Sequence, residues 1–273
     1  MSLRNIENLT LLGFGRMGRA MAKGWIENGL SKNHLRIIDP NISEQDDFIM
    51  KNKLKIYHPE DLSFDNNLIV IAVKPQVSSE VLENISSRIN STNTLVSIVA
   101  GYSIADIRKC IGSDPNVIRA MPNTPASVGM AMSVLCCDSY LPNMIKDSVT
   151  QLFTSIGSCR WITDESYMHL VTAISGSGPA YYFLLTEYLS KIAREKGLDE
   201  EFANELVTRT FIGSAALIEE YKDISITAQR ENVTSPGGTT EAALKLLMEN
   251  DKLLTILNNA IDSAILRSQK LSK

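Results

Sequence analysis

Histidine is scarce in this chain. His34, His58 and His169 are its three examples in 273 residues, and cysteine is barely commoner, at Cys110, Cys136, Cys137 and Cys159. No cysteine stands in a C-x-x-C pair and none lies at zinc-ligand spacing from a histidine, so no structural metal is expected. Cys136 and Cys137 are adjacent in a strand-like run, and reduced, partly buried thiols are the expectation for all four. Basic blocks are absent too. The formal charge is -4 and the pI about 5.5, which offers nucleic acid no electrostatic footprint. No stretch approaches the roughly 18 apolar residues that cross a bilayer. The start, Met1-Ser2-Leu3-Arg4-Asn5, lacks the basic region, apolar core and small-residue cleavage site of a secretory leader. A cytoplasmic protein engaging neither nucleic acid nor membrane is therefore expected.

What is present is a folded chain of ordinary balance, 44% hydrophobic and 21% charged, long enough for one large domain or two ordinary ones. Its first half alternates short apolar runs with helical patterns. The runs are Leu9–Leu12, Leu35–Ile38, Leu68–Val73, Leu95–Val99 and Val117–Ala120, with further strands predicted over Met130–Cys136 and Cys159–Ile162. Several are apolar on both faces, as strands covered by helices on two sides are. Helical patterns at Met17–Asn28 and Val77–Ile89 lie between them, and the alternation predicts an α/β doubly wound parallel sheet. After Asp164 no strand pattern recurs. Helices are predicted over Glu165–Ile174, Pro179–Lys196, Glu200–Tyr221 and Thr240–Leu271, the last broken near Asn250-Asp251. The division is a dinucleotide-binding domain over 1–163 and a helical domain over 164–273.

The strongest local signal is Gly13-Phe14-Gly15-Arg16-Met17-Gly18, placed directly after the first strand and opening a helix. In a G-x-G-x-x-G turn the three glycines serve a tight turn, close backbone approach to a pyrophosphate, and close helix-on-strand packing. The helix start then presents unpaired amides and the positive dipole end to phosphate. A tight turn without a ligand is the bland alternative. Asp39 ends the second strand, at the place of the acid that bonds the ribose hydroxyls of NAD(H) and repels the 2′-phosphate of NADP(H). As a turn residue before Pro40-Asn41 it would have no such role. Ala72-Val73-Lys74-Pro75, Ala100-Gly101 and Met121-Pro122-Asn123-Thr124-Pro125 follow later strands, on the edge of the sheet where ligands gather. Lys74 reads as a cation facing the cofactor or as a solvated loop lysine. Asn123 and Thr124, stiffened by two prolines, read as ligand contacts or as a plain turn.

Two loops stand out in the helical part. Ser175-Gly176-Ser177-Gly178-Pro179-Ala180 interrupts two helical patterns, with Ser177 or Gly178 able to cap the next helix and Pro179 in its first turn; a mere breaker is the alternative. Val233-Thr234-Ser235-Pro236-Gly237-Gly238-Thr239-Thr240 leads into another helix. Its glycines and hydroxyls at a positive helix end suit a small carboxylate, although a simple capped loop has the same composition.

Together these motifs resemble the pyrroline-5-carboxylate reductases nearly end to end, through Gly13–Gly18, Ala72–Pro75, Arg119–Pro125, Ser175–Tyr181 and Thr234–Thr240. The resemblance implies a Rossmann-type sheet followed by an all-α dimerisation domain. It implies reduction of 1-pyrroline-5-carboxylate to L-proline by NAD(P)H, the last step of proline biosynthesis. It implies a homodimer with interleaved helices, and assembly to a decamer in many members. Carried over, cofactor contacts fall on Gly13, Gly15, Arg16, Met17, Gly18, Asp39, Ala72, Val73, Lys74, Pro75, Ala100 and Asn123. Substrate contacts fall on Ser177, Ser235, Gly238, Thr239 and Thr240, with the substrate between the nicotinamide and the Ser235–Thr240 loop. The Thr240 hydroxyl, beside the ring nitrogen, is the catalytic group. Two positions depart from the pattern. Asp39 stands where many members carry small polar residues that accept a 2′-phosphate, turning the expectation from NADP(H) toward NAD(H). Asp223–Ala228 lacks the His-Pro-Gly often found before the carboxylate loop.

Two rival readings are separable. The 3-hydroxyacid dehydrogenases share the two-domain plan but carry a catalytic lysine on the long helix of the second domain, where Pro179–Glu187 has none. A non-catalytic dinucleotide sensor needs the glycine turn but has no use for the carboxylate loop; it would bind NADH without turning it over.

Overall fold

The computed structural model describes residues 3–61, 64, 68–112, 114–138 and 140–272. Met1 and Ser2, where the leader reading starts, and Lys273, where the second predicted domain ends, lie outside them. Two compact units divide the chain. One takes in residues 1–177 and 264–273, the other 178–263.

The first unit is built on seven strands: β1 (Leu9–Leu12), β2 (Leu35–Ile38), β3 (Leu68–Ile71), β4 (Thr94–Ser97), β5 (Asn116–Met121), β6 (Ala131–Cys137) and β7 (Gly157–Ile162). All seven fall where the apolar runs place them. Their order in the sheet is β2-β1-β3-β4-β5-β6-β7. The pairs from β2 through β5 are parallel, β5 and β6 are antiparallel, and β6 and β7 are parallel to each other. The uniformly parallel sheet expected from strand–helix alternation is thus corrected at one edge. The physical reason is the connection. Residues 122–130 hold a short 3-10 turn, Thr124–Val128, too little chain for the crossover that a parallel neighbour requires.

Helices cover both faces. The helices α1 (Arg16–Glu27), α2 (Asp47–Asn52), α3 (Ser78–Ser86), α4 (Ile104–Ile111) and α5 (Asn143–Thr154) fill the crossovers. On one face Met21, Trp25, Leu152 and Phe153 pack with Leu11, Val70 and Ile118, and on the other Leu82, Ile85, Ile104 and Ile107 pack with Leu12, Ile69 and Ile71. This two-sided burial is why the strand sequences are apolar throughout. Local chemistry sets the helix ends. Ser103 and Asp106 form a reciprocal capping box at α4, and Gly112 ends it in the left-handed conformation at φ 64°.

A 3-10 turn, Glu165–Tyr167, leads to α6 (Met168–Val171), then a wide π turn over Thr172–Gly176. The second unit starts with α7 (Gly178–Glu195), paired through the Gly197 turn with α8 (Glu200–Glu220). α9 (Ile226–Asn232) and α10 (Thr239–Met248) follow. The expected break falls at Asn250 and Asp251, both at positive φ (50° and 53°). α11 (Lys252–Leu271) runs from there, and its last residues belong to the first unit. There Gly101 lies so close to Leu271 that a Cβ would come within 2.6 Å of its side chain.

Candidate functional site

β1 pairs with β2 on one side and β3 on the other, so the chain reverses its direction of winding between β1 and β3. A crevice opens at such a switch point, outside the carboxyl ends of the strands. The glycine turn sits there. Gly13 donates its N–H to Ile38 O at 2.9 Å, and Ala72 donates to Leu12 O at 2.7 Å. Gly13 has φ 94°, and a Cβ on it would lie 2.7 Å from Ala72 O. A Cβ on Gly18 would run into the carbonyl of Gly13, whereas one on Gly15 would meet nothing within 4 Å. Two glycines are thus required by the protein's own backbone, and the third faces open space. Gly15 is the N-cap of α1, and no side chain caps the helix, so its first amides point outward uncovered. That cradle fits a pyrophosphate. Arg16 is exposed at the first helical position and Met17 is half-buried against the core.

Asp39 follows β2 and is half-buried. Its Oδ2 accepts the Phe14 N–H at 2.7 Å and its Oδ1 the Asn41 N–H at 2.9 Å. The carboxylate therefore braces the glycine turn, and each oxygen retains a lone pair for a further donor. Val73 is half-buried, and Lys74 is exposed, with its carbonyl accepting the Ser78 hydroxyl at 3.0 Å. Pro75 opens a 3-10 turn, and Ala100 is half-buried past the end of β4.

Asn123 is committed within the protein. Its Nδ2 donates to Ser175 O (3.2 Å) and Ser175 Oγ (3.3 Å), and its Oδ1 accepts the Met132 N–H at 2.9 Å. It ties the β5–β6 loop to the π turn, where Ser177 N–H reaches back to Thr172 O at 2.8 Å. π turns of this kind recur at functional sites. Beneath lies a pair that the sequence reading passed over. Arg119 of β5 is 1% exposed and donates from Nη1 to Glu165 Oε1 at 2.9 Å, while its Nε and Nη2 have no hydrogen-bond partner among the described residues. The same Glu165 oxygen accepts the Ile104 N–H at 3.0 Å. An arginine inside an otherwise apolar strand was the available signal. The four cysteines are thiols, and burial pushes Cys136 and Cys159 up to about 11; reactive thiolates need the opposite shift.

The second unit carries Ser235, Gly238, Thr239 and Thr240. Gly238 donates to Ser235 O at 2.9 Å, with Pro236 and then Gly237 at φ 70° between them. This is a type II turn, and it explains the Pro-Gly order. Gly238 then caps α10, again without a side-chain cap, so the amides of Thr239 and Thr240 begin an open helix end. Glu241 accepts the Gly237 N–H at 2.7 Å, a brace that a first-turn acid after Thr-Thr could have signalled. A cleft of about 650 Å³ beside the loop is lined by Arg230, Thr234, Gly237, Gly238, Glu241 and Lys245 among others. Of the predicted substrate residues it takes in Gly238 alone. A second cleft, of about 630 Å³, lies at the amino ends of the strands, by Asn8, Leu68, Thr94 and Asn116, away from the edge where parallel sheets bind ligands.

A glycine-turn cradle at a switch point, with an acid braced beside it and a helical unit following, defines a dinucleotide-dependent oxidoreductase. Residues 165–271 match the family described as pyrroline-5-carboxylate reductase dimerisation, and residues 8–101 that described as NADP oxidoreductase coenzyme F420-dependent. The pyrroline-5-carboxylate reductase of Pasteurella multocida is 32% identical over 98% of both chains. Among solved structures, that of the Coxiella burnetii reductase superposes with a TM-score of 0.89 at 31% identity, covering 98% of this chain and 100% of that one. The Plasmodium falciparum reductase with NADP bound gives 0.85 at 31% identity, covering 99% of each. The chain belongs to the pyrroline-5-carboxylate reductase family.

Proposed function

We propose that this protein reduces 1-pyrroline-5-carboxylate to L-proline with NAD(P)H, as the last step of proline biosynthesis. The observation that carries the substrate half of this reading is the type II turn at Ser235–Gly238. It leads into a helix start without a side-chain cap, in a segment that carries three hydroxyl residues, and such an end suits a small carboxylate. A dinucleotide held on the glycine turn would supply the hydride; its addition to the carbon of the protonated imine turns C=N into C–N and leaves a neutral secondary amine, which takes its second proton from water. The iminium is already a good acceptor, so the protein's task is alignment, worth about 7–11 kcal/mol in well-oriented systems. Ser235, Gly238 and Thr239 hold the carboxylate, Thr240 orients the ring nitrogen, and Ser177 contributes a hydroxyl from the residue that ends the π turn. Gly13, Gly15, Arg16, Met17 and Gly18 hold the pyrophosphate. Asp39 takes the ribose and favours NADH. Ala72, Val73, Lys74, Pro75, Ala100 and Asn123 form the remaining rim.

Residues 1–163 act in this reading as the dinucleotide-binding domain and 164–273 as the helical dimerisation and substrate domain. The protein works in the cytoplasm as a homodimer able to build a decamer. In support, no described helix is long and apolar enough to cross a membrane. Among the described residues of the second unit, only Gly178, Ser190 and Ala203 are buried, too small a core for helices to stand alone. The test is nicotinamide absorbance with the purified protein and the imine, run with each cofactor. Oxidation that depends on the imine is expected; no loss of absorbance with either cofactor overturns the reading.

A further inference from the structure

The loop that leaves β2 toward α2 carries Asp39, Glu44 and Asp46, Asp47 opens α2, and residues 39–47 include no lysine or arginine. A cation does stand beside it, on α1, but it is held. Arg19 donates from Nη1 to Asp46 Oδ1 at 2.9 Å and from Nη2 to Asp46 Oδ2 at 2.5 Å. The guanidinium lies 5.0 Å from the centre of the Phe14 ring and 5.8 Å from that of Phe48. Phe14 belongs to the glycine turn, and its N–H is the one that Asp39 accepts. Asp46 in turn caps α2 by accepting the Phe48 and Ile49 amides. Arg19 is thus fixed in a forked pair beside two aromatic rings, one of which belongs to the residue whose N–H Asp39 accepts.

A 2′-phosphate adds nearly two negative charges and is normally received by forked arginine donors. Here the adjoining loop is acidic, and the arginine within reach of the turn already has both forks on a carboxylate. We propose that the Arg19–Asp46 clasp determines cofactor specificity: by withholding Arg19 from a 2′-phosphate, it leaves Asp39 to select the dinucleotide whose ribose carries a 2′-hydroxyl, NADH. The inference rests on the reading of Gly13–Gly18 as the dinucleotide turn. The hydrogen bond from Arg19 holds the Asp46 carboxyl down at about 2, so the clasp is ionised at neutral pH.

The test is the dissociation constant of NADH and of NADPH for the full chain, by nicotinamide fluorescence without substrate. Wild type should bind NADH at least about tenfold tighter, one charge-assisted contact's worth. Asp46→Asn keeps a good helix cap and drops the charge; it should tighten NADPH by about fivefold or more and leave NADH within about twofold. Asp46→Ser, capping equally well, serves if the first variant melts early. Adding Arg19→Met to Asp46→Asn should abolish the gain. If the gain survives, Arg16 carries it and the proposal fails. Arg19→Met alone should leave both cofactors within about twofold; a selective loss of NADPH would mean that Arg19 already meets the phosphate, which overturns the clasp. A wild type that prefers NADPH refutes this inference and spares the reductase reading; a wild type that binds neither dinucleotide refutes both.

Discussion

Gly15 and Gly18 are separated by two residues and predict opposite failures. Gly18 packs on the Gly13 carbonyl, so Gly18→Ala strains the fold itself and should lower stability by about 1–3 kcal/mol, read in a denaturant titration. Gly15 has open space before it, so Gly15→Ala should leave the unfolding midpoint in place and weaken NADH binding about tenfold or more through loss of close backbone approach. Equal destabilisation by the two would contradict this assignment. A second residue-scale expectation concerns His169. Its Nδ1 lies 3.0 Å from the Ser268 hydroxyl. Burial, then the Arg119 charge, push its pKa below the ordinary 6.5, with Glu165 opposing. A histidine whose folded pKa is depressed binds its proton more readily in the unfolded chain. Stability should therefore be fullest above pH 6.5 and decline as pH falls below it, and His169→Asn should flatten that slope in melts between pH 5 and 8. The glycines were legible in the sequence because each sits in a local turn. Arg119 with Glu165 was not, since 46 positions separate two residues that one hydrogen bond joins.

At the scale of elements, the carboxylate loop and the helix it opens form the testable unit. Gly237 occupies the left-handed corner of the turn, where any other L-residue costs about 1–2 kcal/mol. Gly237→Ala should loosen the turn and raise KM for the imine while NADH binding is unchanged. Thr240→Ala should keep the turn and instead lower kcat by roughly tenfold to a hundredfold, as misaligned reactants do. An unchanged rate removes Thr240 from the mechanism. Ser-Pro-Gly-Gly announces such a turn from sequence alone, because Pro and Gly constrain their own backbone. The π turn at Thr172–Gly176 carries no comparable mark: Ser175-Gly176 reads as a simple helix break. Only the side chain of Asn123 bonding to Ser175 shows what the wide turn presents.

For the whole molecule, the decisive quantity is apolar surface. Phe183 is 65% exposed, Leu246 70% and Leu254 65% in the single chain, far more than scattered surface hydrophobics explain. In the homodimer proposed above, a second copy would cover them and make folding and association one event. The melting temperature should rise with protein concentration, and light scattering should find no monomer at micromolar concentrations. A concentration-independent melt with a monomeric mass would remove the dimer.

The sequence alone determined the strands, the glycine turn, the Pro-Gly loop and the change from sheet to helices. Each of these depends on residues within a few positions of one another, where backbone geometry and burial periodicity act directly. Tertiary structure alone decided the reversal of β6 and β7, the commitment of Asn123 to Ser175, the buried Arg119–Glu165 pair and the clasp between Arg19 and Asp46. These join residues far apart in the chain. Which distant carboxylate meets a given guanidinium depends on the packing of whole elements, and no local pattern records it.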